Sequence, residues 1–382
     1  MKFTVAPDSL KESLAAPEAA RAIARGISAA APGAQIVQVP MADGGKGTVA
    51  AVVKATEGQL RRASVRGPLD EPVEAAWGMS GDGRTAVIEM AQASGLELVP
   101  PERRDPTKTS TYGTGQLIAH ALEAGVESVV VGIGDSATVD GGVGMAQALG
   151  ARFTDAAGRT LGRLCGGWLR EVASVSLDGL DARLDQVDIV VASDVTNPLL
   201  GPEGAARVYG PQKGASAQQV EELEAGLANL AEVVERDLDL DVVHLPGAGA
   251  AGGLGAGLVA FLGARLASGA RTVMEIVRLR ERMAGSDLVF TAEGRADAQS
   301  CFGKATCCVV EAARAQGIPA VVLAGSLAEG YDGLRERGAC AVLSILDGPM
   351  CLEEAAGRTE ELLARTARAA TGIWLAKGSG HG

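Results

Sequence analysis

The apolar positions of this chain switch between two periods, and each switch marks an element. Phe3-Thr4-Val5-Ala6 is a short apolar run of strand type, and residues 16–30 then carry Ala and Ile at helical spacing behind Pro17, a favoured helix-start residue. Gln35-Ile36-Val37-Gln38-Val39 predicts a second strand. Strand, helix and strand in close succession make a βαβ unit, which implies parallel pairing and a right-handed crossover.

From Gln59 the period shortens to two. Leu60-Arg61-Arg62-Ala63-Ser64-Val65, Pro72-Val73-Glu74-Ala75-Ala76-Trp77 and Thr85-Ala86-Val87-Ile88-Glu89 are separated by turn residues such as Gly81-Asp82-Gly83, the pattern of an antiparallel meander. Beyond it the pattern predicts a helix near 114–125, a strand at 128–131, a helix near 142–149, a strand at 188–192 and an amphipathic helix at about 217–236. The βαβ rhythm then returns, with strands at 288–291, 320–323 and 341–345, a helix over 304–316 and a last helix over about 353–370.

Two strands before the meander are too few for a stable parallel sheet, whereas joining them to the last three gives one of ordinary size. The predicted fold is therefore α/β: a Rossmann-like parallel-sheet domain over 1–58 and 285–376, interrupted by an inserted second α/β domain with a mixed sheet over 59–284. Residues 377–382 read as a flexible tail.

Composition narrows the partners. A chain of 382 residues is long for one hydrophobic core, which agrees with two domains. A net charge of −12 and a pI near 4.9 argue against a nucleic-acid partner, which needs a basic face. The six cysteines form no C-x-x-C pair, so free thiols fit better than zinc or a disulfide framework. No signal peptide opens the sequence, and glycines and charges interrupt every apolar stretch short of the ~20 residues of a membrane span. A cytoplasmic protein without a membrane partner is expected, and a homodimer is allowed.

Four glycine-and-acid loops carry the candidate chemistry: Ala6-Pro7-Asp8-Ser9-Leu10-Lys11, Ala42-Asp43-Gly44-Gly45-Lys46, Ser193-Asp194-Val195-Thr196-Asn197 and Glu293-Gly294-Arg295-Ala296-Asp297. Glycine lets backbone approach a phosphate, aspartate can hold a hard cation such as Mg2+, and Lys or Arg neutralises phosphoryl oxygens. Arg295, with Asp297 and Gln299 behind it, suits a planar carboxylate, although Arg295 and Asp297 could equally neutralise each other. Asp8 and Lys11 could be a helix cap and a solvated lysine.

Gly132-Ile133-Gly134-Asp135-Ser136-Ala137 comes close to the dinucleotide fingerprint, but the acid-bearing second strand is missing where it should fall. The helix start after it could instead hold nucleotide phosphates. No Walker A or protein-kinase motif is present. Gly210-Pro211-Gln212-Lys213-Gly214 sets a lysine in a loop. The run from Pro246 to Gly255, with Gly249 and Gly252, is so poor in side chains that it must pack against either a ligand or another helix.

Taken in order, these segments resemble the bacterial glycerate kinase family. The resemblance also covers Thr111-Tyr112-Gly113-Thr114-Gly115, Ser136-Ala137-Thr138, Asp140-Gly141-Gly142 and Asn197-Pro198-Leu199, and spans nearly the whole chain. It implies ATP-dependent phosphorylation of glycerate, at the 2-hydroxyl in the glycerate 2-kinase type, with the active site in an interdomain cleft and with ATP and Mg2+ as cofactors.

Carried onto these positions, Asp194, Lys11 and Asp8 would be catalytic, with Asp8 and Asp43 holding Mg2+. Arg295, Asp43, Asp297, Gln299, Gly44 and Gly45 would bind substrate, and Gly134, Ser136, Thr138, Lys213, Gly249 and Gly252 the nucleotide. The chain departs from the family pattern at Leu10, Glu12, Lys46, Asp135, Val139 and Ala292. Lys46 stands where glutamate is usual and Asp135 where glycine is, changes expected to weaken ATP binding or alter substrate choice. The rival readings are a kinase-like binding protein, a kinase for a related small hydroxy acid, and a nicotinamide-dependent dehydrogenase.

Overall fold

The computed structural model describes residues 1–10, 13–301 and 303–378, so the predicted catalytic residue Lys11 and the departure at Glu12 lie outside the described residues. The strands are β1 (Lys2–Val5), β2 (Gln35–Gln38), β3 (Gln59–Arg66), β4 (Pro72–Met79), β5 (Thr85–Glu89), β6 (Ser128–Gly132), β7 (Arg152–Thr154), β8 (Ser174–Ser176), β9 (Asp188–Ala192), β10 (Arg265–Ala267), β11 (Leu288–Ala296), β12 (Ala320–Leu327) and β13 (Ala339–Ser344). Contacts divide the chain into two units. One comprises Met1–Asp43, Ala50–Glu57 and Gly269–Gly382, the other Gly44–Val49 and Gly58–Ser268.

The first unit holds a five-stranded sheet in the order β13-β12-β11-β1-β2, parallel throughout. The first two strands and the last three do share one sheet, as the return of the βαβ rhythm predicts. Phe3, Val5, Leu288, Phe290 and Leu323 are buried in its core, as expected of a parallel sheet covered by helices.

The helix Ala16–Ala30 carries Pro17 in its first turn, where a missing N–H leaves no hydrogen bond unmade. It meets the last helix, Leu352–Gly378, so closely that a Cβ on Gly26 would lie 2.1 Å from the Ala364 carbonyl oxygen. Lys377 and Gly378, expected in the tail, belong to this helix, whose Trp374 and Leu375 pack against the core of the unit. The helices Gly269–Ile276 and Leu279–Met283 also group with the first unit, ahead of the boundary expected at residue 285, and bury Val273, Leu279 and Met283.

The second unit is built on a six-stranded sheet in the order β10-β9-β6-β5-β4-β3. β3, β4 and β5 form the antiparallel meander, and β5, β6, β9 and β10 run parallel, so the sheet is mixed as expected. β10 escaped the sequence pattern because it has only three residues. Glu89 and Gly132 pair at the ends of β5 and β6, and Gly132 pairs with Ala192 at the end of β9. The loops that follow these strands therefore leave one edge of the sheet, the edge at which open parallel sheets bind ligands. Among the described residues no helix is long and apolar enough to cross a membrane.

Candidate functional site

Beyond β6 the second unit departs from a dinucleotide turn. Asp135 takes a left-handed φ of 57°, and the chain then runs beside residues 94–96, with Leu96 N donating to Asp135 O at 2.9 Å and Ala137 N to Ser94 O at 2.9 Å. After this segment the next helix is Val143–Ala148, and amides of its first turn are taken, Val143 N donating to Asp140 O at 3.1 Å and Met145 N to Thr111 Oγ1 at 2.9 Å. The buried Asp140 carboxylate accepts Gly142 N at 3.2 Å and both Thr111 N and Thr111 Oγ1 at 2.8 Å. Burial raises the pKa of Asp140 and these donors oppose the rise. The helix start considered as a phosphate site is thus closed by the protein's own carboxylate.

The cation of this unit lies elsewhere. A short 3-10 turn, Pro211–Lys213, carries Lys213 inward, and Gly214 must follow it because its φ is 94° and a Cβ there would lie 2.3 Å from Arg104 O. Lys213 is only 2% exposed. Its Nζ donates to Ser136 Oγ and to Thr138 O, both at 2.7 Å. Desolvation pushes its pKa down to about 7, with Asp140 pulling the other way. The Thr138 hydroxyl oxygen beside it is buried and has no hydrogen-bond partner.

Lys213, Ser136 and Gly134 line a cavity of about 360 Å³ that Arg104 and Tyr209 also border. Ser193 and Val195 line it too, and Asp194 is the exposed residue between them. The structure thus brings four predicted residues, Gly134, Ser136, Thr138 and Lys213, into one cluster. Gly249 and Gly252 lie where backbone packs closely: a Cβ would lie 2.1 Å from Pro198 O at Gly249 and 2.0 Å from Thr138 O at Gly252, and Ala250 and Ala251 between them line the cavity.

Gly44 and Gly45 group with this second unit. A Cβ on Gly44 would lie 2.6 Å from Ala192 O, one on Gly132 2.2 Å from Gly44 O, and one on Gly134 3.3 Å from Gly45 Cα. The Gly44–Val49 loop is therefore laid directly on the ends of β6 and β9. Lys46 in this loop pairs with Glu97 at 2.8 Å, which raises its pKa, and Asp135 and Glu89 add to the rise.

In the first unit, Asp8 follows β1, its N–H donating to Ala292 O at 2.9 Å, and Met41 N donates to Pro7 O at 2.8 Å, so the loops bearing Asp8 and Asp43 run side by side. Among the described residues no group of three or more His, Cys, Asp or Glu is placed to hold a metal ion. Arg295 and Asp297 form an ion pair at 3.4 Å, and Gln299 N donates to Asp297 Oδ1 at 2.9 Å.

Behind them Glu293 is buried. One carboxylate oxygen accepts from Ser300 Oγ at 2.8 Å and the other has no partner. Desolvation pushes the pKa of Glu293 up to about 7, against the Ser300 hydrogen bond and the charge of Lys304.

The family model described as "Glycerate kinase family" matches residues 3–375. The chain belongs to the glycerate kinase family. It is 50% identical over 368 residues to the glycerate 2-kinase of Escherichia coli (strain K12), covering 96% of each chain. It is 49% identical over 366 residues to the glycerate kinase of Halalkalibacterium halodurans, again covering 96% of each. Its structure is similar to the crystal structure of a protein named glycerate kinase 2 from Salmonella typhimurium LT2, with a TM-score of 0.91, 47% identity and 99% of each chain covered.

As a glycerate kinase family member the chain carries three buried acids that the sequence reading left out of its site list: Glu89, Asp140 and Glu293. Each lay within or beside a quoted segment. Asp140 opens Asp140-Gly141-Gly142 and Glu293 opens the loop of Arg295, whereas Glu89 was only the last residue of a predicted strand. A carboxylate ending a strand at the ligand edge was the available signal.

Proposed function

We propose that this chain is an ATP-dependent glycerate kinase that phosphorylates the 2-hydroxyl of glycerate. The observation that carries the reading is the match of essentially the full chain to the glycerate kinase family, with a named glycerate 2-kinase at 50% identity. The buried lysine in a cavity at the ligand edge of the second unit supports it, because phosphoryl transfer depends on positioning and charge neutralisation.

In this reading Lys213, with Ser136 and the backbone at Gly134, meets the nucleotide phosphates. Asp194 orients the 2-hydroxyl and accepts its proton as the oxygen attacks the γ-phosphorus and the bond to ADP breaks. Arg295 recognises the substrate carboxylate, supported by Asp297 and Gln299.

Mg2+ is bound through one or two carboxylates together with phosphates and water, so the donor set of Asp8 and Asp43, on neighbouring loops, fits it. Bound there, it would neutralise charge on the transferring phosphoryl group. The test is a coupled ADP-release assay with Mg-ATP over D-glycerate, L-glycerate, tartronate and hydroxypyruvate, followed by phosphorus NMR of the product. ADP release with none of the four, or a 3-phosphate product, would overturn the corresponding part of the reading.

A further inference from the structure

Glu89 stands outside this mechanism, yet it is 5% exposed at the end of β5, beside Gly132 at the end of β6. Its Oε1 accepts two backbone amides of the Gly44–Val49 loop, from Gly47 at 3.0 Å and Val49 at 2.8 Å. Gln92 adds a side-chain hydrogen bond. Within the loop Thr48 Oγ1 donates to Gly45 O at 2.6 Å, which closes a turn around Lys46.

Gly44 and Gly45 of the same loop abut Ala192, Gly132 and Gly134. The loop is thus held at Gly47 and Val49 by a carboxylate that accepts their amides and at Gly44 by strand ends that leave no room for a side chain. A buried acceptor oxygen shared by two amides fixes the backbone of the loop, because losing it would leave both donors unsatisfied.

We propose that Glu89 is a positioning residue for phosphoryl transfer: by anchoring the amides of Gly47 and Val49 it sets Gly44 and Gly45 against the Gly132–Ser136 segment that borders the Lys213 cavity. The role rests on the kinase reading. Glu89 acts through the loop, and no step of the reaction requires its proton or its charge. A neutral amide at this position retains an acceptor oxygen in the same place and keeps the loop, whereas a methyl does not.

The test compares Glu89→Gln and Glu89→Ala in the full-length chain, with Mg-ATP and D-glycerate as substrates and hydrogen exchange at Gly47 and Val49 as a readout independent of turnover. For Glu89→Ala the expected result is lost amide protection, a thermal transition that stays cooperative, and a kcat/KM lower by about 10²-fold with a KM for at least one substrate raised, the scale of a misplaced site element. Glu89→Gln should restore protection and bring kcat/KM to within about threefold of wild type, since the acceptor is preserved.

Glu89→Ala that folds with unchanged KM and kcat overturns the proposal. So does one whose kcat falls only in step with its folded fraction while both KM values hold, because that marks a purely structural residue. If the wild-type chain turned over no glycerate, the kinase reading would fail and the positioning role with it, while the exchange data would still report whether Glu89 anchors the loop.

Discussion

Lys213→Met is the most informative single change, because it should lower turnover and at the same time remove a pH dependence of stability. In the folded chain the Lys213 amine is buried and its pKa falls from 10.5 to about 7. At about 1.4 kcal/mol per pH unit this corresponds to about 5 kcal/mol of stability forgone at low pH. The sign follows from proton binding: between pH 7 and 10.5 the unfolded chain carries a proton that the folded chain does not. The lysine's contribution is therefore fully present above 10.5, declines as pH falls, and is lost below about 7.

Met fills similar volume without that dependence. Its cost is the donor withdrawn from both Ser136 Oγ and Thr138 O, about 1–3 kcal/mol for each buried acceptor left unsatisfied. At pH 7 the two effects are of similar size, so the variant and the wild type should be of similar stability there, with the wild type the more stable at higher pH. Urea unfolding of both proteins at pH 7, 8 and 9 tests this, with the wild type gaining on the variant by about 1.4 kcal/mol per pH unit. If Lys213 meets the nucleotide phosphates, turnover with Mg-ATP and glycerate should fall by at least about 10²-fold. A stability difference that does not change with pH would refute the claim that burial lowers the pKa of Lys213 in the folded chain.

Three further outcomes follow from the same geometry. Asp194→Asn should lower kcat by about 10²-fold or more if Asp194 is the general base, and steady-state kinetics within a few-fold of wild type would remove it from that role. Glu293→Gln should flatten the pH dependence of stability between pH 4.5 and 7: burial raises the folded pKa to about 7, so the wild type loses stability as pH rises through that window, and equal slopes in chemical denaturation would count against it. In the native protein Cys340 and Cys351 are exposed, whereas Cys165, Cys301 and Cys307 are buried with pKa values raised by burial, Cys307 to about 12. A thiol reagent at pH 8 should label the two exposed residues first, and early mass-spectrometric labelling of Cys307 would contradict that order.

Much of the fold is legible because apolar strands such as Ser128–Gly132 and Asp188–Ala192 are bounded by glycine or polar turns. The pooling of the first and last strands into one sheet follows from counting them. Within the site, local features could be read and distant ones could not. The Arg295–Asp297 pair is two residues apart and was foreseeable as an ion pair.

Lys213, by contrast, sits in Gly-Pro-Gln-Lys-Gly, a string that reads as an exposed loop. Its burial depends on an oxygen 77 positions away at Ser136 and another 75 away at Thr138. Glu89 is hidden for the same reason, since the amides that hold it lie 42 and 40 positions upstream. The glycines at 249 and 252 were recognised as sites of close approach, but only the fold reveals that Pro198 and Thr138 are what they approach.

The same distinction between buried and exposed groups decides what the charge departures at Lys46 and Asp135 mean. Asp135 and Glu97 line the cavity and are exposed, and Lys46 offsets them through its exposed pair with Glu97. Charges in that setting are screened by water, and such pairs contribute about 0–1 kcal/mol. Lys213 faces the same cavity from a fully desolvated position, where an interaction between unit charges is several times stronger. An anionic ligand would thus be drawn chiefly by the buried lysine. The reversed charge at Lys46, alarming in the sequence, acts at a screened position and is met locally by acids that the fold places around it.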